Sequence, residues 1–495
     1  QGMAKEEIAA GLAFSVVQNY LNRVVRGRKI GEVIFFQGGT AYNQAVAAAF
    51  AATLDKTIIV PPHCGVMGAI GAALLARDRM AGSSSASRFH GFDPDAIQFS
   101  VRHFTCKACS NQCDMQEVAV DGEKSYWGDK CSERYRKRVR TARKAVIPDL
   151  FECHRDLLLR GVPGPDGRGV KIGIPRAMYF FDRFPFWRAY FAALGAEVVL
   201  SDPTNRQTVA LGREYCIAEP CFPILAAHGH VADLMARGVD YIFLPNAINA
   251  ETPYPATYSW YCPWGQTLPL VIRNTLHNSP WAERILSPVL HFREGAPQLA
   301  LELEEMARRL GADAASNRRA VATAFAVQAD YIQNIKAAGI EALRVLSVAQ
   351  REAVLLLGRP YNVMDAGLNL NVAGRLRDTY GIDVIPMDFL SFETIDISPV
   401  HDNMFWNYGR RILQAAVWAG LQGHLHAIYI TNFKCGPDSY IKHWIHTALG
   451  APYLTLQFDE HGNDAGMMTR CEAYLQSKGF LHAGVPMRAV VEELI

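Results

Sequence analysis

From about residue 170 onward, the chain runs twice through one succession of elements, and this repeat constrains its fold more than any other feature. The first pass reads as a strand at 170–176, a loop, a helix, Gly195, a strand at 197–200 and a later strand at 240–245. The second reads as a strand at 353–360, a loop, a helix, Gly381, a strand at 383–386 and a later strand at 426–431. Strands alternating with helices predict parallel sheets covered on both faces, so the chain reads as α/β with two Rossmann-like, doubly wound lobes, at 165–280 and 351–485. The Ala, Leu, Glu and Arg spacing from about 297 to 345 predicts a helical connector within 281–350.

The first 80 residues read as a separate α/β piece. Helices are predicted at 8–25, 41–54 and 65–76, with strands at 32–36 and 57–60 between them. This piece begins on a helix rather than a strand and runs into the linker composition of 83–87. Residues 100–145 form a Cys-rich segment with no evident core of its own and a basic helix at 134–144. A second linker, 161–167, follows. A hydrophobic fraction of 50% and a net charge of +2 exclude a disordered chain and a strongly basic nucleic-acid coat. There is no apolar run of membrane-spanning length and no signal-peptide core, so the sequence reads as cytoplasmic, with neither nucleic acid nor membrane as partner.

Eleven cysteines without a secretory signal point to metals or redox chemistry rather than to a disulfide framework. Cys221, Cys262 and Cys435 share a local pattern, each standing one or two residues before a proline: Cys-Phe-Pro, Cys-Pro and Cys-Gly-Pro. Proline favours the first helical turn, so each thiol is predicted at a helix N-terminus, where amides and the dipole favour an anion. Cys262 and Cys435 also follow the late strand of their halves, where crevices form in open α/β sheets. The three are candidate ligands of one iron–sulfur cluster, which three cysteines would leave with an open iron. Packing of small buried thiols is the alternative.

A second set is Cys106, Cys109 and Cys113, with Cys131 after 17 intervening residues, and it predicts a separate [4Fe-4S] cluster or a zinc ion. Cys216, five residues before Cys221, is a possible extra ligand; Cys64, Cys153 and Cys471 carry less. Gly38 and Gly39, then Asn43, lie between a strand and a helix, which suits approach of bare backbone to a nucleotide. The Gly65, Gly68 and Gly71 spacing reads as close helix packing, and the 134–144 basic run as a solvated face. His228, His230 and the Asp459-Glu460-His461 triplet are acid/base candidates with structural defaults. Arg359, after a buried strand, is a candidate anion contact.

These residues carry a resemblance. Gly38-Gly39-Thr40-Ala41-x-Asn43, with Val60-Pro61-Pro62 and Gly68 to Ala73, resembles the C-terminal end of the ATPase domain of 2-hydroxyacyl-CoA dehydratase activators, of acetate kinase/Hsp70/actin-like fold. The cysteine motifs, together with Gly358-Arg359-Pro360-Tyr361, are similar to the dehydratase-like region of large fused relatives. The resemblance implies ATP-driven transfer of a low-potential electron to a [4Fe-4S] or double-cubane [8Fe-9S] cluster. It assigns Cys221, Cys262 and Cys435 to that cluster, and Gly38, Gly39 and Asn43 to the adenosine of ATP or ADP. It further implies a small-molecule substrate, a homodimer, and an N-terminal ATPase lobe preceding residue 1 in a longer polypeptide. This chain alone is therefore expected to have no appreciable ATPase activity. Its leading function is that of a reductase or electron-transfer module; the rival is a non-catalytic, zinc-stabilised scaffold.

Overall fold

The computed structural model describes residues 4–25, 28–81, 99–107, 112–120, 122–129, 143–161, 169–462 and 465–481. They divide into two compact units, residues 1–97 and 98–495.

In the first unit, Ile34–Phe35 pairs in parallel with Ile58–Ile59; the helices Lys5–Tyr20 and Gln44–Leu54 pack on each other beside the pair, and Met67–Met80 has no buried residue. Both strands are shorter than their apolar runs suggest, because a single two-stranded pairing has no further neighbour to extend it. The first helix leaves α geometry after Tyr20 and continues as a π-turn over Leu21–Val25. Ala13, Val17, Val46, Ala49 and Phe50 form a small core. The helix expected from Ala41 starts instead at Gln44, because Gly39–Tyr42 makes a 3-10 turn and Asn43 becomes the cap. Asn43 Oδ1 accepts from the N–H groups of Ala45 (3.0 Å) and Val46 (3.4 Å), satisfying two amides of the first turn. Gly68 and Gly71 face open space, so the expected close packing at these positions is absent among the described residues.

In the second unit the Cys-rich segment is better ordered than its sequence suggests. Phe99–Thr105, Asp114–Val120 and Glu123–Trp127 form an antiparallel sheet, with Cys106, Cys113 and Met115 buried between Phe104 and Tyr126. Of the basic run, residues 134–142 lie outside the described residues. Arg143 and Lys144 are not helical, and Arg143 lies over the Phe480 ring at 5.0 Å rather than on a solvated helix face.

Two four-stranded parallel sheets share a topology, and the first extends past residue 280 into the expected connector, because Ile285–Leu286 pairs with Tyr241–Phe243. In the first, Lys171–Ile174, Glu197–Leu200, Tyr241–Phe243 and Ile285–Leu286 are parallel; numbered by sequence, their spatial order is 2-1-3-4. In the second, Ala353–Gly358, Val384–Pro386, Leu425–Asn432 and Leu454–Phe458 repeat that order. The connector adds helices Gly295–Arg309 and Ala314–Val348, but it also contains Val289–His291, a strand unseen in the sequence that pairs with Asn246–Asn249. No helix among the described residues is long and apolar enough to cross a membrane.

The lobes meet along the helix Phe222–Ala236. Ile224, Ala227, Val231 and Leu234 enter the first core, while Phe222, Leu225 and Ala226 enter the second. The first core also includes Leu355, Leu357 and Ile385 of the second lobe, so the lobes share that core and the largely apolar helix joins it to the other. Beside it, His230 bonds Ser201 and Thr204, each at 2.9 Å, and Thr204 Oγ1 donates to Asp365 Oδ2 of the other lobe at 2.5 Å. His230 is thereby a structural residue. Gly367 fits against this contact because a Cβ there would lie 2.2 Å from the Thr204 carbonyl oxygen.

Two predictions follow from these contacts. Asn43→Ala should cost the first unit about 1 kcal/mol and speed hydrogen exchange along Gln44–Leu54, while Asn43→Asp should leave exchange near the native rate. The second concerns pH. Burial drives His230 from 6.5 down to about 3 and His154 from 6.5 down to about 4, so acid below about pH 6.5 favours the unfolded chain, which takes up these protons first. Burial pushes Asp365 from 3.8 up to about 6, so its contribution is present at low pH and is lost as pH rises through about 6. Asp365 thus partly offsets the histidines. In Asp365→Asn, the urea midpoint should fall more steeply between pH 6.5 and 4 than in the wild type; parallel curves would disprove the compensation.

Candidate functional site

Each of the three proline-associated cysteines is the N-cap of a helix: Cys221 of Phe222–Ala236, Cys262 of Pro263–Thr275 and Cys435 of Gly436–Leu449. All three are buried. Proline in the first turn presets the helical φ and lacks the amide that would otherwise need a partner there. Cys435 and Arg359 follow the third and first strands of the second lobe, the point at which that sheet's strand order reverses. Lys434, with φ at +65°, makes the turn from strand to helix that presents Cys435. Cys221 comes instead from the junction helix.

The thiols are near enough to influence one another. Burial pushes Cys221 up to about 12, with Cys262 adding to the effect and the Ile224 amide and Arg359 opposing it. Burial raises Cys435 further, assisted by Asp438 and Cys221 and opposed by Arg359. Without a bound cation Cys221 and Cys435 are therefore protonated at neutral pH. Among the described residues, no three Cys, His, Asp or Glu side chains are gathered as ligands of a single metal ion. A tetrahedral ion with metal–sulfur bonds of about 2.3 Å would require thiolates about 3.8 Å apart. A polynuclear cluster is itself wider and asks for wider spacing.

The groups around the thiols are hydrogen-bond donors in excess. Arg359 is 1% exposed and its Nε donates to Asp438 Oδ1 at 2.7 Å, while Thr431 Oγ1 donates to the other carboxylate oxygen at 2.6 Å. Burial works against the Arg359 charge, but the Asp438 carboxylate outweighs it and holds the guanidinium ionised. Arg359 Nη2, Asn362 Nδ2 and Tyr179 Oη are buried without a hydrogen-bond partner. Unmet buried donors are costly, and here they join three helix N-termini in favouring a dense negative charge. An anionic thiolate-ligated iron–sulfur cluster fits this donor set; a bare cation fits it less well. Tyr179, Tyr261, Tyr408 and Tyr361 contact one another in sequence, tilted or edge-on, with centroids 4.5, 5.3 and 6.1 Å apart.

The other candidates are distributed elsewhere. Cys106 and Cys113 end adjacent strands, and the Cys106 N–H donates to the Cys113 carbonyl at 2.8 Å; Cys109 and Cys131 lie outside the described residues. Gly38 has φ +99° and donates its N–H to Cys64 O at 2.8 Å, Gly39 opens the 3-10 turn, and Asn43 uses its carbonyl oxygen as the cap. Cys216 terminates the helix Arg206–Tyr215 and packs against the second core, where burial pushes it up to about 11; Cys471 is in that core as well. Cys64 is buried in the first unit, and Cys153 is half-buried against the first core. His228 Nδ1 bonds the Ile224 carbonyl at 2.8 Å. His461 is exposed beside Asp459 at 3.2 Å.

The sequence offers Arg359 as a contact for an anion or substrate; in the structure its guanidinium pairs with Asp438, 79 residues away. Asp438, Tyr179 and Asn362 were missed. Asp438 stands in the first turn of its helix, where an acidic residue ordinarily answers the helix dipole, and nothing local signals its burial. Removing one partner of such a buried pair strands the other charge. Arg359→Met should therefore cost roughly 3–5 kcal/mol, and the double change Arg359→Met with Asp438→Leu less than that. Urea denaturation of the four-membered cycle measures both; equal costs would mean that the pair is not coupled.

Comparison with known proteins agrees with this architecture. Residues 171–390 match the CoA enzyme activase uncharacterised domain. Residues 1–76 match the BadF/BadG/BcrA/BcrD ATPase family, in keeping with the actin/Hsp70-like subdomain expected there. No curated protein matched the chain. The two matches, each over less than half of the chain, give it an ATPase-family stretch followed by a CoA enzyme activase domain, consistent with a relation to the 2-hydroxyacyl-CoA dehydratase activators.

Proposed function

We propose that the chain is an iron–sulfur electron-transfer or reductase module of an ATP-dependent acyl-CoA dehydratase activation system, with Cys221, Cys262 and Cys435 holding the cluster. The observation that carries this reading is the set of three buried thiols at three helix N-termini, next to buried donors that no protein group satisfies. A [4Fe-4S] or [8Fe-9S] cluster supplies storage of single electrons at low potential. The protein's part is to supply thiolates, to direct amides and the Arg359 guanidinium at their negative charge, and to exclude water with the buried tyrosines. The electrons would reach a small-molecule substrate or a partner dehydratase component. In the first unit, Gly38, Gly39 and the Asn43 side-chain amide N–H groups are the proposed adenosine contacts for ATP or ADP.

A second metal at Cys106, Cys109, Cys113 and Cys131 is part of the proposal. The hydrogen bond from the Cys106 N–H to the Cys113 carbonyl, which brings the two cysteines together at adjacent strand ends, also supports a zinc-stabilised scaffold reading for this segment.

Anaerobic reconstitution with iron and sulfide, followed by metal analysis and electron paramagnetic resonance, tests the assignment. Serine at all three of 221, 262 and 435 should remove about four irons or more per chain and the corresponding reduced-cluster signal, whereas Cys153→Ser should remove none. Retention of that iron in the triple variant would refute the site. Independently, Cys106→Ser with Cys113→Ser should release one zinc or one four-iron equivalent and expose 99–127 to protease. Unchanged metal content and protection would remove the second site.

A further inference from the structure

A cavity of about 600 Å³ lies within the second unit. Its walls are the Phe180–Ala193 helix and loop 250–254 of the first lobe, residues 388–393 and the Asn407–Gly420 helix of the second, and the middle of Ala314–Val348. Cavities of roughly 300–1,000 Å³ hold small organic molecules. Tyr254, Tyr261, Phe325, Ile332 and Ile335 supply an apolar lining, and Ile332, 46% exposed, stands at the surface end.

The charges in the wall are unequally committed. Arg183 pairs with Glu251, Lys336 with Glu393, and Arg411 with Asp388 and, at 4.0 Å, Asp182. Arg410 differs from these. Its side chain is buried, makes a single hydrogen bond to the Met404 carbonyl (2.9 Å) and lies 5.0 Å from the Tyr254 ring centroid. Among the described residues it has no carboxylate partner. Burial works against its charge, and Asp396 acts in its favour without forming an ion pair with it. A guanidinium carries five N–H donors in a planar fork that matches a carboxylate, and most of Arg410's are uncommitted. An anion there would relieve a buried, unpaired charge.

We propose that this cavity binds a small amphiphilic organic acid, with its carboxylate on Arg410 and its apolar body against Tyr254, Tyr261 and Phe325. The proposal involves no metal and stands whether or not the thiols take up a cluster.

Octanoate and octylamine, matched in chain and opposite in charge, are the probes. Each is titrated calorimetrically into the purified, iron-free chain. Octanoate should bind at least tenfold more tightly than octylamine. Arg410→Gln should weaken octanoate at least tenfold, and Arg410→Lys should weaken it less. Equal affinity for the two probes, or unchanged octanoate affinity in a natively melting Arg410→Gln chain, would overturn the proposal. Should Arg410→Gln not fold, Ile332→Trp, which fills the cavity from its exposed edge, decides: loss of octanoate binding with an unaltered melting temperature supports the site, and retention overturns it. Because the readout is binding to iron-free protein, failure here is distinguishable from failure of the cluster assignment.

Discussion

The Arg359–Asp438 pair ties together the two loops that leave the adjacent first and third strands of the second lobe. Arg359 ends the first of these strands and Asp438 lies in the helix that follows the third, so the pair closes the crevice where strand order reverses. Burying two charges is expensive, and mutual attraction with added hydrogen bonds offsets the cost only when the geometry is good. Thr431 supplies one such bond to Asp438. The guanidinium retains an unpartnered nitrogen beside three thiols, so its charge is only partly used within the protein. The same interaction therefore holds the strand ends together and biases the crevice toward a negatively charged guest.

The first lobe contributes to that crevice through helices rather than through a mirrored ion pair. The junction helix is buried on all sides by both cores, which fixes Cys221 without any contribution from exposed polar groups. Cys262 is positioned by the helix it caps. Gly265 in that helix's first turn admits Tyr179, whose hydroxyl would lie 2.4 Å from a Cβ there. The tyrosine series then continues to Tyr408, whose hydroxyl donates to Asp182 at 2.8 Å in the wall of the large cavity. Thiols and cavity are thus neighbours across one aromatic layer, yet they differ in chemistry: the former is enriched in donors at helix ends, the latter in paired charges with one unpaired arginine.

The lobe boundary adds a polar element to an otherwise apolar junction. Ser201, His230, Thr204 and Asp365 form a chain of hydrogen bonds from one lobe to the other. In a low-dielectric setting such a chain is worth most when every member is satisfied. It also fixes the relative register of the lobes, because Gly367 leaves no space for displacement against Thr204.

Much of the architecture was legible in the chain itself. Apolar runs alternating with helical spacing determined two parallel lobes, because a strand buried on both faces reads as continuously apolar, and such a run stands at 353–358. The Cys-Pro pairs determined three helix starts, because proline's fixed φ and missing amide suit only the first turn. Strand length in the first unit, the antiparallel sheet around Cys106 and Cys113, and the strand Val289–His291 were not legible, since short pairings depend on which distant segment lies alongside. Asn43 shows the same division: its residue type marks a turn, and only the completed helix makes it a cap. The partners of Arg359 and His230, and the burial of Arg410, were decided by tertiary structure alone, because burial and a partner dozens of residues away leave no periodic trace in the sequence.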